Sequence, residues 1–325
     1  MNTRIHVAVG IIYNSDKDKV LITKRTAKQH LAGLWEFPGG KVEKNEDVLS
    51  ALSRELHEEL GIVVKDTKQL TTVSYDYPDK NVLLDVWEVY GWSGVPVSKE
   101  NQKIAWSGKD ELKKYSFPEA NKHIIQTLSL SPVYVISQDS YQNYSELVSV
   151  ADECFSAGVG LFQLRLKLKN EPEFSLLIKE LSELAKHHDT KLILNGIPAD
   201  VSTYDIDGVH LKSRELINYK SRPISENYIL GASCHNEEEL AQAEKLNVNY
   251  AFLSPVSKTN SHPGQEAMSW NNFYEISKKV KFPVYALGGM QPSDVKIAKS
   301  YNAFGIAMID AIWNSSVPVS DILSN

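Results

Sequence analysis

The segment from Gly40 to Ile62 limits what this chain can fold into more than any other stretch. It reads Gly40, five residues, Glu46, seven residues, then Arg54-Glu55-Leu56-His57-Glu58-Glu59-Leu60-Gly61-Ile62. Val48, Leu49, Leu52, Leu56 and Leu60 recur at three- and four-residue spacing, which predicts a helix from about Asp47 to Leu60 with Gly61 as its carboxyl-terminal cap. Glu55, Glu58 and Glu59 stand at i, i+3 and i+4 and share the opposite, acidic face. Three like charges there repel, and a hard cation relieves them; Mg²⁺ takes carboxylate oxygens and keeps positions for water and phosphate oxygens. Taken alone, a glutamate cluster is explained as a solvated helix face. The Gly, Glu and Arg at fixed spacing around this one argue instead for a metal–pyrophosphate site.

A length of 325 residues implies two domains, each large enough to bury a core. Residues 3 to 12 and 19 to 23, split by the polar turn NSDKDK, and residues 81 to 91 read as strands. A second helix follows FPEAN, with Pro118 in its first turn, and ends near 128 to 132, where the domain boundary is placed. From Val133 the pattern changes to VYVIS, LFQLRL, KLILN, GVHL, ILGAS, YAFLS, PVYAL and FGIAM, alternating with helical segments. Eight such units predict a (β/α)8 TIM barrel with its site at the carboxyl ends of the strands; a doubly wound open sheet is the alternative.

The formal charge of −6 offers no basic field for a duplex, so nucleic acid is not expected as a partner, whereas a free nucleotide is bound with a metal's help. Cys154 and Cys234 lack C-x-x-C spacing and predict reduced thiols in a cytoplasmic protein. The start, MNTRIHVAVGIIY, goes straight into an alternating stretch, and nothing approaches 18 consecutive apolar residues, so no membrane partner is expected. A homo-oligomer stays open.

The Gly40–Ile62 pattern matches the Nudix box without a mismatch, which implies an α/β/α sandwich with a mixed sheet over residues 1–129. In that family Pro38-Gly39-Gly40 brings backbone carbonyls to the metal, and Glu46 and Arg54 form a bracing ion pair. The flanks AVGIIYNSDKDKVLITKRTAKQHLAGLWEFPGGK, YDYPDK, KENQKIAW and FPEAN resemble the MutT-type 8-oxo-dGTP diphosphatases. The resemblance implies Mg²⁺ (Mn²⁺ being the other candidate) held by Gly39, Gly40, Glu55, Glu58, Glu59 and Glu100, with Glu55, Glu58 and Glu59 catalytic. It also implies a nucleotide site of Arg25, His30, Phe37, Pro38, Gly39, Gly40, Lys80 and Asn121. Asn121 stands where the oxidised purine is read, and a carboxamide offers both a donor and acceptors to the altered base edge. Lys80 departs from the arginine of the MutT type and forgoes a bidentate contact.

Residues 132–325 resemble the thiamin phosphate synthase and TenI superfamily through Gln163-Leu164-Arg165, Asp207-Gly208-Val209-His210-Leu211, Gly231-Ala232-Ser233-Cys234-His235 and Ala286-Leu287-Gly288-Gly289-Met290. Gln163, Arg165 and Lys167 alternate along one strand and predict a phosphate cradle with the Gly288-Gly289 backbone. Asn195 and the loop residues Ser257, Lys258 and Thr259 are further phosphate candidates by resemblance. The synthases hold Mg²⁺ through acidic residues after the third and fourth strands. Here Asn195 leads into Gly196, and His210-Leu211 into Lys212-Ser213, so both are missing. That counts against synthase chemistry and fits the TenI branch, a thiazole tautomerase in which the histidine at His235 moves protons. A thiazole or thiamin phosphate is the ligand so implied. Two other readings remain: a hydrolase of thiamin-related diphosphates, and a barrel that only binds ligand or dimerises.

Overall fold

The protein is described by a computed structural model at residues 4–27, 29–139, 143–166, 172–257, 267–315 and 317–323. It divides into two compact units, Met1–Ser129 and Leu130–Asn325.

In the first unit the strands are β1 (Ile5–Ile12), β2 (Lys19–Lys24), β3 (Trp35–Glu36), β4 (Gly39–Lys41), β5 (Val63–Asp76), β6 (Asn81–Ser93) and β7 (Lys103–Gly108). The helices are α1 (Val48–Leu60) and α2 (Glu119–Leu128). One sheet runs β4-β1-β6-β5 and is mixed, β1 pairing parallel with β6 and antiparallel with β4; the other runs β3-β2-β7. This is the Nudix sandwich. Strand β1 is apolar on both sides because both are covered: Ala8 and Ile12 join Leu52, Leu56 and Leu60 of α1, while Val9 and Ile11 join Phe37, Phe117 and Ile124.

Helix α1 begins where Asp47 accepts the Leu49 and Ser50 N–H groups and stops at Gly61, whose left-handed φ of 73° lets its N–H reach the His57 carbonyl. Pro118 precedes α2 in extended conformation as its cap, not inside the first turn. The sequence reading missed β5 and β7. Strand β5 is largely exposed and its register with β6 shifts at three places, which erases the period-two signal.

The second unit is a closed parallel barrel of β8 (Val133–Ile136), β9 (Leu161–Leu164), β10 (Lys191–Asn195), β11 (Gly208–Leu211), β12 (Ile229–Cys234), β13 (Tyr250–Leu253), β14 (Val284–Leu287) and β15 (Gly305–Met308), each paired with its sequence neighbour and β15 with β8. Every strand matches one of the eight apolar runs, and the open-sheet alternative falls because the ends meet. No helix among the described residues is long and apolar enough to cross a membrane.

The barrel interior holds Tyr134, Tyr250, Tyr285 and Phe252, all fully buried. A hydrogen-bonded chain joins Tyr134 Oη to Tyr250 Oη (2.7 Å), Tyr250 Oη to His210 Nδ1 (3.1 Å), and His210 Nε2 to Ser233 Oγ (2.8 Å). Burial pushes the His210 imidazole down to about 3, and the Arg165 guanidinium acts in the same direction. His210 is therefore neutral when folded and takes up a proton on unfolding below its ordinary value of 6.5. Its stabilising contribution is complete above that pH and is lost as pH falls towards the folded value, at up to about 1.4 kcal/mol per pH unit. Thermal midpoints measured from pH 7 to pH 4 are expected to fall more steeply for wild type than for His210→Gln; parallel curves would contradict this account.

Candidate functional site

The acidic site of the first unit is built on an edge that only glycine permits. Strand β4 pairs with β1 through Val9–Gly39, Ala8–Gly40 and Val7–Lys41, and the Gly10 N–H donates to the Pro38 carbonyl at 2.8 Å. Gly39 has φ 140°, and a Cβ there would lie 2.1 Å from the Ala8 carbonyl oxygen. A Cβ on Gly40 would lie 2.1 Å from the Glu55 carboxyl carbon. The bare backbone is what lets α1 bring its carboxylates against the strand.

The three α1 glutamates do not share one environment. Glu59 Oε2 accepts the Gly39 N–H at 3.1 Å. Burial pushes its carboxyl up to about 8; the Gly39 hydrogen bond opposes the rise, and Glu36, Glu100 and Glu55 add to it. Glu55 covers Gly40 and accepts from Arg54 Nη1 at 2.8 Å. Glu58 is turned outward, 57% exposed, at 3.6 Å from the same nitrogen. Arg54 also grips Glu46 with two nitrogens, both at 2.9 Å, and donates to the Lys41 carbonyl at 3.0 Å, so the bracing pair exists as a fork that ties loop to helix.

Glu100 arrives through the backbone: Val97 and Lys99 N–H groups donate to the Leu60 and Glu59 carbonyls at 3.0 and 2.9 Å, seating the following turn beside the end of α1. Glu36, which the sequence reading overlooked, is also part of this acidic crevice. Burial raises its pKa and Arg25 lowers it, while Glu100 adds to the rise. Among the described residues no three carboxylate, imidazole or thiolate groups converge closely enough to enclose a cation as they stand. The donor set nevertheless fits one, because Glu36, Glu100 and Glu55 crowd the buried Glu59 and raise its pKa.

The nucleotide candidates gather around Phe37 and Tyr77. Phe37 stacks with Phe117 at 5.6 Å between centroids, and its N–H donates to Asn121 Oδ1 at 3.4 Å. Asn121 is 8% exposed on the first turn of α2. Tyr77 Oη accepts the Ala120 N–H at 3.4 Å; the Tyr77 ring carries Lys80 Nζ at 5.9 Å and meets His30 edge-on at 6.1 Å. His30 also faces Asp79 at 3.8 Å. Arg25 Nε and Nη2 bind Glu36 at 2.7 and 2.6 Å, and Nη1 binds the His30 carbonyl, closing the loop between β2 and β3. Tyr77 and Phe117 were missed because an aromatic in a loop carries no period to mark it.

In the barrel, Gln163 and Arg165 do alternate, but at different depths. Gln163 is 2% exposed, with its carboxamide against the Tyr134 and Tyr250 hydroxyls. Arg165 lines a pocket at the mouth with Ser254, Pro255, Gly288, Gly289 and Gln291, and pairs with Asp139 at 3.3 Å. Gly288 and Gly289 have φ of 107° and 67°, and a Cβ on Gly288 would strike Pro255 at 2.9 Å. The Ser257 N–H donates to the Gly288 carbonyl at 3.2 Å. His235 Nδ1 lies 2.9 Å from the Ser254 carbonyl and so carries the proton, leaving Nε2 as an acceptor. Asn195 Oδ1 is buried without a hydrogen-bond partner among the described residues. Beside it the Asp200 carboxylate fills the space that a side chain on Gly196 would occupy, and accepts the Ile197 N–H at 2.8 Å. Lys167, Lys258 and Thr259 lie outside the described residues.

A glycine-edged strand facing a glutamate helix defines the first unit as a hydrolase of the Nudix class, and the second is a (β/α)8 barrel with a glycine-lined mouth. Comparison with known proteins agrees in both halves. Residues 8–127 match the model of the NUDIX domain and residues 133–312 that of thiamine monophosphate synthase. The 8-oxo-dGTP diphosphatase of Escherichia coli is 38% identical over 38% of this chain and 96% of its own length. The thiamine-phosphate synthase of Clostridium tetani is 28% identical over 59% of this chain and 90% of its own length. The solved thiamine phosphate pyrophosphorylase of Pyrococcus furiosus superposes with a TM-score of 0.50 at 24% identity, covering 59% of this chain and 91% of that one, and shares the barrel fold. The chain belongs to both families: a MutT-type Nudix hydrolase fused to a thiamin phosphate synthase/TenI barrel.

Gly40 has an ordinary φ, so Gly40→Ala can keep the β1–β4 pairing and still drive the Glu55 carboxylate aside. Hydrolysis is expected to fall by about 10²-fold, the cost of an ångström-scale misplacement, with circular dichroism unchanged.

Proposed function

We propose that the Nudix unit hydrolyses 8-oxo-dGTP to 8-oxo-dGMP and pyrophosphate with Mg²⁺, removing oxidised guanine nucleotides before they enter DNA. The observation that carries this reading is the position of Asn121. Its carboxamide is held against the Phe37 main chain, two residues from Gly39, so the base-reading and phosphate ends of the site share one short segment.

The chemistry of the oxidised base suits that carboxamide. Oxidation at C8 turns N7 from an acceptor into a donor. Asn121 Oδ1 keeps a second lone pair beyond the Phe37 N–H, and Nδ2 has no hydrogen-bond partner among the described residues. An oxygen able to take the N7–H repels the bare N7 of dGTP, and a buried polar group left unpaired is the costly outcome.

Glu55, Glu58, Glu59, Glu100 and the Gly39 and Gly40 carbonyls are the groups that would hold Mg²⁺, or Mn²⁺ as another oxygen-seeking ion. Bound there, the ion neutralises charge on the polyphosphate. Arg54 and Glu46 keep the glycine edge in register with α1, Arg25 fixes Glu36, and the Gly39 N–H orients Glu59 so that one carboxylate oxygen stays open to a water proton.

For the barrel we read a thiazole or thiamin phosphate bound at the mouth, on the strength of Arg165 beside Gly288 and Gly289 and of the acceptor Nε2 on His235. Arg165→Gln is expected to weaken calorimetric binding of thiazole phosphate by about tenfold, one charge-assisted contact, and to leave nucleotide turnover unchanged.

The hydrolase reading is tested by pyrophosphate release from dGTP and 8-oxo-dGTP. Expected are a strong preference for 8-oxo-dGTP, an inactive Glu59→Gln, and a loss of about 10- to 100-fold in selectivity for Asn121→Ala. Turnover of thiamin-related diphosphates with neither nucleotide cleaved would overturn the substrate and keep the fold.

A further inference from the structure

Thr23 and Gln102 are among the buried donors of the hydrolase unit that have no hydrogen-bond partner among the described residues, Trp87 Nε1 and Ser98 Oγ being others. Thr23 is 1% exposed and Gln102 is 7% exposed, yet Thr23 Oγ1 and Gln102 Nε2 have no hydrogen-bond partner among the described residues. Buried side-chain polar atoms are rarely left so, because each forfeits its water without recompense.

Strand register puts both on one face. Thr23 lies opposite Glu36 of β3 on one side and Ile104 of β7 on the other, and cross-strand partners share a face. Gln102, one residue ahead of β7, precedes Ile104 by two and continues that face beside Arg25, since Lys24 pairs with Lys103. The direction of the face is fixed by packing: Leu21 and Ile104 belong to the cluster of Leu52, Leu56 and Leu60 on α1. Thr23, Gln102 and Glu36 therefore look towards α1, where Glu59 lies within electrostatic reach of Glu36 and Glu100.

Glu36 on the same face has its Oε2 engaged by both Arg25 Nε and Nη2, and it bonds neither Thr23 Oγ1 nor Gln102 Nε2. Acceptor oxygens from outside the protein would satisfy both donors. We propose that Thr23 and Gln102 form a donor pair that binds anionic oxygens of the substrate's polyphosphate chain, opposite the glutamates of α1. The inference rests on reading this crevice as a nucleoside triphosphate site. A crevice lined by glutamates repels phosphate oxygens, and two uncharged donors supply contacts on the wall that the cation does not cover.

An orphaned donor kept for a ligand has a signature that a structural residue lacks: removing it helps the empty protein and harms binding. Thr23→Val and Gln102→Leu in the full chain are compared with wild type by thermal unfolding without ligand and by calorimetric titration with sodium tripolyphosphate in Mg²⁺. The expected result is an unchanged or higher midpoint for the empty protein, with affinity about tenfold weaker for each variant. Thr23→Ser, which keeps the hydroxyl, retains wild-type affinity. Wild-type affinity in Thr23→Val and Gln102→Leu overturns the proposal, as does a lowered midpoint with affinity unchanged, the mark of a structural or water-bridged pair. The probe carries no base. If tripolyphosphate binds through the pair while 8-oxo-dGTP is not hydrolysed, the substrate reading falls and the donor pair stands; if wild type binds no tripolyphosphate, both fall.

Discussion

A helix that turns glutamates towards a strand edge must be held against its own repulsion, and the Arg54 guanidinium does the holding. Its fork on Glu46, its contact with Glu55 and its bond to the Lys41 carbonyl tie the loop ahead of α1 to the middle of the helix. The glycine edge completes the constraint, because Gly39 and Gly40 leave no side chain between β1 and the carboxylates. Everything else in the site is seated on that frame: Glu59 on the Gly39 N–H, Phe37 two residues upstream, and Asn121 on the Phe37 N–H. A cation is the natural completion of such a frame, since neutralising buried carboxylates recovers part of what their burial costs.

The barrel solves a different problem. Its interior carries tyrosine hydroxyls, an imidazole and a serine where aliphatic packing is usual, and links them into one hydrogen-bonded chain from Tyr134 to Ser233. Satisfied in this way, buried polar groups specify one arrangement of the core. The mouth is then free to carry function: Arg165, the left-handed Gly288 and Gly289, and a His235 whose tautomer is set by the Ser254 carbonyl.

Both architectures were legible in the residues. The α1 boundaries follow from Asp47, the leucine spacing and Gly61, and the eight barrel strands from apolar runs interrupted by helical periods. The long β5 and the short β7 were not: in β5 exposure and register shifts remove the alternation that marks a strand, and β7 is six residues with one buried position. The roles of individual charges were less legible still. Spacing places Glu55, Glu58 and Glu59 on one face, yet only packing sends Glu59 inward and leaves Glu58 to solvent. The pairing of Arg25 with Glu36 carried no signal, and Gln163, one strand period from Arg165, lies a layer below it.

The sequence by itself determined the two folds and the segment that carries the acidic helix, since each rests on periodicity and local spacing along one stretch of chain, and its motifs carried the resemblance to the two families. The tertiary structure decided the crevice. Glu36, Glu100, Thr23 and Gln102 come from three separate stretches, and their meeting opposite α1 depends on strand register and on which sheet face the leucines of α1 cover. Burial then sets what each group does, turning a carboxylate spacing into a raised Glu59 and two polar atoms into unmet donors. Such properties belong to the space between elements, which no local pattern encodes.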